Sequence, residues 1–340
     1  MPMTPDDRAM ADEVTGPPGP RQRRAIAKAV TLIESTHADH RARADEVLNT
    51  LLPHSGRSFR LGVSGVPGVG KSTFIETLGL QLIAEGHRVA VLAVDPSSSV
   101  SGGSILGDKT RMARLSADDR AFIRPSPSSG TLGGVAEKTR ESMLVLEAAG
   151  YDVVIVETVG VGQSETAVAG MTDMFALLQL PNAGDDLQAL KKGITELADI
   201  IVVNKADIDE AAATRASAQI TSSLRLLGLH GHPEETPEDA AVWHPVVIQV
   251  SALTGQGMPA FRSEVSRFRA LQSAGGRFAH RRQQQNEAWM RDRLEAGLRQ
   301  RFRAHPAVQA AWPAVLDEVR AGRLAASVAA RRLLDLMDGR

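Results

Sequence analysis

A nine-residue glycine loop constrains the fold of this chain more than any other feature. The stretch Gly65-Val66-Pro67-Gly68-Val69-Gly70-Lys71-Ser72-Thr73 fits the phosphate-binding pattern G-x-x-x-x-G-K-[ST]. The apolar run 61–64 before it predicts a buried strand, and apolar residues at helical spacing after it predict a helix. Such a loop can wrap backbone N–H groups around a phosphate, and the helix dipole favours the anion. The sequence therefore predicts a nucleotide site on an α/β sheet.

Two side chains of this loop have predicted chemical roles. Lys71 can reach the β- and γ-phosphates of a nucleotide, and the Ser72 hydroxyl can bind Mg²⁺. We expect Lys71 to lie in a surface loop, where a charged side chain contributes little to stability. A glycine-rich turn that binds nothing is the alternative, and it is disfavoured because the flanking pattern and the later motifs all agree with a nucleotide site.

The central part of the chain, residues 57–272, predicts a doubly wound, mainly parallel α/β domain of the P-loop type. Its nearly continuous apolar runs are typical of strands buried on both faces of a sheet. The predicted strands are 61–64, 88–94, 121–124, 152–157, 173–180, 199–204 and 246–250. The predicted helices between them are 70–85, 135–149, 186–197, 209–227 and 257–271.

The flanking segments differ from this domain in composition. Residues 1–20 are rich in proline, glycine and acids, which predicts a disordered tail. Residues 21–56 predict an N-terminal helical segment, and their acidic residues favour a packing helix over a targeting peptide. Residues 273–340 predict a C-terminal helical arm dense in arginine. A solvated helix face is favoured over nucleic-acid binding there, because aromatic residues are few. The arm could cap its own domain or pair with a second copy.

Overall composition excludes several kinds of site. The 340 residues have a formal net charge of −1, so charge gives no reason to expect nucleic acid or an anionic membrane as a partner. The absence of cysteine removes disulfides and thiolate metal sites, and it is compatible with a cytoplasmic location. No apolar run approaches the roughly 20 residues of a membrane span, and the N-terminus lacks a signal pattern.

Two motifs that follow later strands predict guanine as the base. Asn204-Lys205-Ala206-Asp207 fits N-K-x-D, and the Asp207 carboxylate can accept from the N1–H and 2-amino groups of guanine, which adenine lacks. The Lys205 stem can lie along the base, and Asn204 can brace the loops. Ser251-Ala252-Leu253 fits the S-A-[KL] loop, whose backbone N–H meets the guanine O6. For N-K-x-D alone, a helix N-cap turn is the alternative.

The strand beside the glycine loop ends in a variant of the D-x-x-G motif. The sequence there is Glu157-Thr158-Val159-Gly160, so a glutamate takes the place of the aspartate. Its carboxylate can hold Mg²⁺ directly or through water, and the Gly160 N–H could bond the γ-phosphate. Val161 follows, so no glutamine stands where Ras-type enzymes orient the attacking water.

A polar segment after the second predicted strand is a candidate switch. Asp95 ends that strand and begins Asp95-Pro96-Ser97-Ser98-Ser99, and Asp108 lies in the glycine-rich stretch that follows. Two carboxylates, glycines and hydroxyls in one segment suit a switch that senses a metal ion. A plain polar loop is the competing interpretation.

The long switch motifs make the chain resemble a known family. It is similar to the MeaB/ArgK/MMAA family, which are G-protein chaperones of adenosylcobalamin-dependent acyl-CoA mutases, chiefly methylmalonyl-CoA mutase. The resemblance covers roughly residues 20–340. It implies GTP or GDP and Mg²⁺ as ligands, slow GTP hydrolysis, a homodimer and such a mutase as the partner. The motifs that carry it are the glycine loop, 95–99, Gly102-Gly103-Ser104-Ile105-Leu106-Gly107-Asp108-Lys109-Thr110-Arg111-Met112 and Glu157-Thr158-Val159-Gly160-Val161-Gly162-Gln163-Ser164-Glu165.

The resemblance also implies roles for individual residues. Catalytic roles fall to Lys71, Asp95 and Glu157, and Mg²⁺ is held by Ser72 with help from Asp95, Asp108 and Glu157. A third switch spans 181–193, where Asp185 and Lys191 match positions that relay partner contact to the nucleotide. The C-terminal segment 273–340 is then a dimerisation arm.

Two other functions remain open at the level of sequence. The family carries an older label as an arginine/ornithine transport-system kinase, although no residue here visibly selects arginine or a protein acceptor. A nickel-insertion GTPase belongs to the same broad class, but the absence of cysteine and of a histidine tract disfavours nickel. Measuring GTP turnover with each candidate partner would separate these functions.

Overall fold

The computed structural model divides the chain into two compact units, Met1–Phe278 and Ala279–Arg340. It describes residues 3–94, 112–125, 132–158, 164–181, 192–226, 228 and 242–337. The first unit thus extends six residues beyond the predicted boundary at 272, and it contains both the N-terminal helical segment and the sheet.

The described residues of the first unit form seven strands in one parallel sheet, as the sequence predicted. The spatial order is β3-β2-β4-β1-β5-β6-β7, and every pair is parallel. This confirms the doubly wound α/β fold. The strands are β1 (Phe59–Gly65), β2 (Val89–Val94), β3 (Ala121–Arg124), β4 (Val153–Thr158), β5 (Met174–Gln179), β6 (Ile200–Val203) and β7 (Val246–Gln249).

Helices cover both faces of this sheet. Of the predicted helix 186–197, the described residues show only a single turn, since 182–191 lie outside them. The helices are α1 (Pro5–Thr15), α2 (Pro20–Glu34), α3 (Ala38–Leu51), α4 (Lys71–Ala84), α5 (Ala113–Ser116), α6 (Leu132–Ala148), α7 (Ser164–Ala169), α8 (Lys192–Thr195), α9 (Glu210–Leu226) and α10 (Met258–Ala274).

The continuous apolar runs of the strands follow from this double cover. On β2, Leu92 and Val94 point into the core beneath α2, α3 and α6, whereas Val89 and Val91 point into the core beneath α4 and α10. Side chains alternate between the faces of a strand, so a strand covered on both sides needs an apolar residue at each position.

The strand order places β1 at the point where the chain changes direction across the sheet. From β1 the chain goes to β2 and β3 on one side and returns to β4 beside β1, and it then crosses to β5, β6 and β7 on the other side. Ligands of such sheets bind in the crevice beyond the carboxyl ends of the strands at this point. The glycine loop follows β1 directly, so the fold places it in that crevice.

The prediction of a disordered tail over residues 1–20 is wrong, because residues 5–15 form α1. Thr4 caps this helix by accepting from the Asp7 N–H at 3.1 Å, and Ala11 and Val14 are buried. The Asp7 carboxylate also accepts two hydrogen bonds from Arg43 of α3, at 2.8 and 2.9 Å. These bonds lower the pKa of Asp7 below its usual value. The apolar spacing of α1 is hidden among prolines and acids in the sequence.

The N-terminal helical segment also differs from its prediction, because it contains two helices. The chain leaves the helix at Ser35 and re-enters it at Ala38. On α3, Arg41 forms ion pairs of 2.9 Å with both Glu137 and Glu141 of α6. Burial raises the pKa of Glu141, and Arg41 opposes that shift. Ion pairs as well as apolar packing thus hold this segment against α6.

The second unit is helical, as predicted. Its helices are α11 (Arg277–Ala304), which begins within the first unit, α12 (Pro306–Arg320) and α13 (Ala326–Met337). Gly275 and Gly276 separate α10 from α11, His305 precedes α12, and Gly322 lies between α12 and α13. A small core of Val308, Val315, Ala329 and Leu333 joins α12 to α13. Among the helices described in both units, none is long and apolar enough to cross a bilayer.

Candidate active site

The glycine loop forms a tight turn between β1 and α4. Gly70 has a φ of 97°, in the left-handed region, and α4 begins at the next residue. A Cβ atom at Gly70 would come within 2.7 Å of the Asn204 side-chain nitrogen. Only glycine therefore satisfies both the backbone conformation and the close approach of the neighbouring loop at this position.

Lys71 lies across the loop that precedes it, and its position differs from the expected exposed site. The side chain is 8% exposed. Its Nζ donates to the Gly65 carbonyl at 2.6 Å and is 3.3 Å from that of Val66. A buried ammonium that contacts carbonyls of its own loop can exchange these contacts for phosphate oxygens. The loop thus holds a positive charge where the predicted phosphates would bind.

Ser72 and Glu157 bring two oxygen ligands together beside the loop. Glu157 lies near the end of β4, paired with Val63 of β1, and is buried. Its Oε1 atom is 3.5 Å from the Ser72 hydroxyl. A hydroxyl and a carboxylate are oxygen donors of the kind that Mg²⁺ prefers. These two residues fit the predicted metal role. The described residues contain no group of three or more His, Cys, Asp or Glu side chains that could hold a metal by themselves.

Five predicted residues lie outside the described residues. They are the candidate metal ligands Asp95 and Asp108, the candidate phosphate contact Gly160, and the candidate relay residues Asp185 and Lys191. Their roles remain predictions from the sequence and from the family resemblance.

The Asn204 side chain joins the glycine loop to residues 251–253, the loop predicted to contact the guanine base and called the base loop below. Its Nδ2 donates to the Val69 carbonyl at 2.8 Å, and its Oδ1 accepts from the Ala252 N–H at 3.0 Å. Asn204 is buried, and both bonds cross between segments that are far apart in sequence. One amide thus sets the spacing between the predicted phosphate and base sites, the bracing arrangement that the sequence predicted.

Lys205 and Asp207, which are predicted to contact the base, lie in a strained turn. Among described residues other than glycine, Lys205 alone has a positive φ, at 61°. The Ala206 N–H donates to the Val250 carbonyl at 3.0 Å, which anchors the turn to the end of β7. Asp207 is exposed just beyond it. A left-handed non-glycine residue costs roughly 1–2 kcal/mol, and such strain concentrates at functional sites.

The first two residues of the base loop are buried, and the third is exposed. Ser251 and Ala252 are buried, whereas Leu253 is 80% exposed. The Ala252 N–H, one candidate for the guanine O6, is already donated to Asn204. The next N–H along the loop belongs to Leu253.

Sequence reasoning missed two hydroxyl contacts around this site. The Thr77 hydroxyl of α4 donates to the Ala252 carbonyl at 2.7 Å, and Thr158 at the end of β4 donates to Ser64 of β1 at 2.7 Å. Thr77 belongs to no motif, and Thr158 occupies an unspecified position of the variant D-x-x-G motif. The sequence offered only a weak indication of the second contact. Ser64 and Thr158 carry hydroxyl groups at the carboxyl ends of two apolar strands, and parallel pairing of these strands brings the two residues side by side.

We expect Asn204→Ala to weaken nucleotide binding and destabilise the fold by about 1–3 kcal/mol, because it leaves the buried Val69 carbonyl and Ala252 N–H without this partner. Asn204→Asp should be at least as harmful, since a carboxylate would face the Val69 carbonyl. Thermal unfolding and GDP titration measure both effects. Unchanged GDP affinity in both variants would show that the amide does not set the loop spacing.

The fold and this geometry define the class of protein. A glycine loop at the switch point of a parallel sheet, joined by one amide to an N-K-x-D turn and a base loop, is the arrangement of a P-loop nucleotide-binding protein.

Comparison with known proteins narrows the class to a family. The family described as "Methylmalonyl Co-A mutase-associated GTPase MeaB" matches residues 26–307. The GTPase ArgK of Escherichia coli (strain K12) is 49% identical over 274 residues, covering 81% of this chain and 80% of that protein. A Mus musculus protein named "Methylmalonic aciduria type A homolog, mitochondrial" is 44% identical over 330 residues, 94% of this chain and 77% of that protein.

A solved structure is also similar to this chain. The crystal structure of a protein named "LAO/AO transport system kinase" superposes with a TM-score of 0.72 at 36% identity, covering 98% of this chain and 96% of that one. The chain belongs to the MeaB family, and it is a GTPase.

Proposed function

We propose that this GTPase gates the loading and protection of adenosylcobalamin in an acyl-CoA mutase, most simply methylmalonyl-CoA mutase. The observation that carries the proposal is the family match over residues 26–307, whose description names a mutase-associated GTPase. The mouse relative, which aligns with 94% of this chain, is named for methylmalonic aciduria, and this supports the same partner.

The geometry supports hydrolysis of a nucleoside triphosphate at the glycine loop. The loop N–H groups and the start of α4 would bind the phosphates, and the Lys71 ammonium would neutralise charge on them. Ser72 and Glu157 would hold Mg²⁺, with Asp95 and Asp108 as further candidates. When bound, this ion supplies charge neutralisation on the phosphate oxygens.

Base choice would rest on the turn that follows β6. The exposed Asp207 carboxylate would accept from the N1–H and 2-amino groups of guanine, while the Lys205 stem lies along the ring. Adenine has neither donor at these positions, so it would leave the carboxylate without its hydrogen bonds.

Turnover without a partner should be slow. The residue after Gly160 is Val161, so the sequence offers no glutamine at that position to orient the attacking water. Ras-type enzymes that lack a completed site turn over at on the order of 10⁻⁴ to 10⁻² per second. A mutase that contacts the switch segments could complete the site, and the nucleotide would then bias a surface that the partner recognises.

We therefore expect a purified adenosylcobalamin-dependent mutase to accelerate GTP turnover of this protein. Coupling of binding is reciprocal, so GTP should change mutase affinity by the same factor by which the mutase changes GTP affinity. Release of inorganic phosphate, measured with and without the mutase, tests the acceleration, and calorimetry in both directions tests the reciprocity.

Lys191→Ala provides the matched variant for this experiment. As a relay residue outside the phosphate and base loops, Lys191 should be needed for most of the acceleration but not for basal turnover. Fast turnover without any partner, or full acceleration in the variant, would contradict the proposal.

A transport-system kinase is the second candidate function, and it is favoured by the name of the structural relative. Such a kinase would transfer phosphate to an amino acid or a protein. Inorganic phosphate would then fall short of the GTP consumed, so measuring both quantities in one reaction separates the two functions.

We also propose that the C-terminal unit mediates a homodimer. All 28 residues of α11 are described and none is buried, although Met290, Leu294 and Leu298 form an apolar stripe 52–64% exposed. Trp312 and Leu334 border an open apolar cavity of about 380 Å³ between α12 and α13. Exposed apolar surface of this kind marks interaction sites. Sedimentation at micromolar concentration should show a dimer, and a monomer that persists across a hundredfold concentration range would contradict this.

A further inference from the structure

The peptide groups of the base loop are held at several points. The Ser251 carbonyl accepts from the Gly255 N–H at 2.8 Å, and the Ser251 hydroxyl accepts from the Thr254 N–H at 3.2 Å. The Ala252 N–H is donated to Asn204. These bonds fix the loop up to the N–H of Ala252, but they leave the orientation of the next peptide group to a further contact.

Thr77 of α4 supplies that contact. Its hydroxyl donates to the Ala252 carbonyl at 2.7 Å, across 175 positions of sequence. Thr31, Thr50 and Thr139 also lie in helices, and each donates its hydroxyl to the carbonyl four residues earlier in its own helix. That local bond is the usual one for threonine in a helix. Thr77 therefore departs from the local pattern at the point where its helix passes the base loop.

Holding this carbonyl also fixes the neighbouring N–H. The C=O of Ala252 and the N–H of Leu253 belong to one planar trans peptide, so they point in opposite directions. With the carbonyl directed at Thr77, the Leu253 N–H is directed away from α4. Leu253 itself is 80% exposed, on a loop joined by Asn204 to the glycine loop.

We infer that Thr77 is a positioning residue for base recognition: its hydroxyl orients the 252–253 peptide so that the Leu253 N–H donates to the O6 atom of guanine. This inference rests on the guanine-nucleotide site proposed above. It assigns to the glycine-loop helix a second task beside phosphate binding, since the helix that starts at Lys71 also sets the donor for the base six residues later.

The test compares GDP with 6-thio-GDP, in which sulfur replaces O6 while N1–H and the 2-amino group remain. Sulfur is a weak hydrogen-bond acceptor, so the unmodified protein should bind GDP more tightly than 6-thio-GDP. Thr77→Val keeps the side-chain shape and removes the hydroxyl. We expect it to weaken GDP binding roughly threefold to tenfold, the size of one hydrogen bond, and to affect 6-thio-GDP much less. Thr77→Ser keeps the hydroxyl and should restore the preference for GDP.

The ratio of the two affinities is the deciding readout. A role confined to packing would weaken both ligands equally and leave the ratio unchanged, and that result would overturn the inference. An unchanged GDP affinity in Thr77→Val would overturn it as well. Thr77→Ala carries the same test if the valine variant does not fold. Failure of the unmodified protein to bind GDP would overturn the nucleotide site itself, and it would be evident before any variant is made.

Discussion

We expect Asp207→Asn to weaken GTP binding by roughly 10²- to 10⁴-fold, because two hydrogen bonds from guanine to a carboxylate contribute about 1.5–3 kcal/mol each. The variant should bind xanthosine triphosphate better than the parent does, since the 2-oxo group of xanthine needs a donor and the new amide provides one. Asp207 is exposed, and it follows the buried Ala206, whose N–H donates to the Val250 carbonyl. The substitution therefore changes a carboxylate that a ligand can reach.

Asp209→Asn is the matched control for this change. Asp209 lies two positions further on, and its carboxylate accepts from the Ala212 N–H at 2.8 Å at the start of α9. Asparagine caps helices about as well as aspartate, so this variant should keep both the fold and the GTP affinity. Unchanged GTP affinity in Asp207→Asn would contradict the assignment of Asp207 as the residue that contacts the base.

Lys71→Ala should lower GTP turnover by about a thousandfold, since it removes the buried positive charge beside the phosphates. The structure changes one part of this prediction. Because Lys71 is buried and donates to carbonyls of its own loop, its removal is also expected to lower the melting temperature, contrary to what a surface lysine would do.

A control separates the two effects of this substitution. Lys28→Ala removes a lysine from α2, on the opposite face of the sheet, and should leave turnover unchanged. Turnover is measured as phosphate release at a temperature well below the melting point of Lys71→Ala. Turnover at the parent rate in Lys71→Ala would mean that the glycine loop is not the active site.

The strands and the motif loops could be predicted because their signals are local. A strand covered on both faces requires an unbroken apolar run, and each nucleotide motif follows such a run directly. Helix α1 was missed because its stability depends on Arg43, which lies 36 residues away, and on a short apolar pattern among prolines. The division of residues 20–51 into two helices was missed because the break at 35–37 contains neither glycine nor proline.

The side-chain contacts that hold the loops and strands around the site were harder to predict from the sequence. Asn204 could be predicted as a brace because it stands in a motif, whereas the contact of Thr77 with Ala252 joins a helix interior to a loop 175 residues later. The hydroxyl pair of Ser64 and Thr158 depends on strand register, which apolar runs do not specify. Three-dimensional proximity, not local pattern, selects such residues.

The most direct test of guanine recognition is competition for the site of the unmodified protein. A fluorescent GDP analogue is bound in the presence of Mg²⁺ and displaced by GDP or by ADP. If Asp207 and the base loop recognise guanine, GDP displaces the analogue near its own dissociation constant, and ADP requires a concentration about 10⁴-fold higher. Displacement by ADP and GDP at equal concentrations would contradict a guanine site.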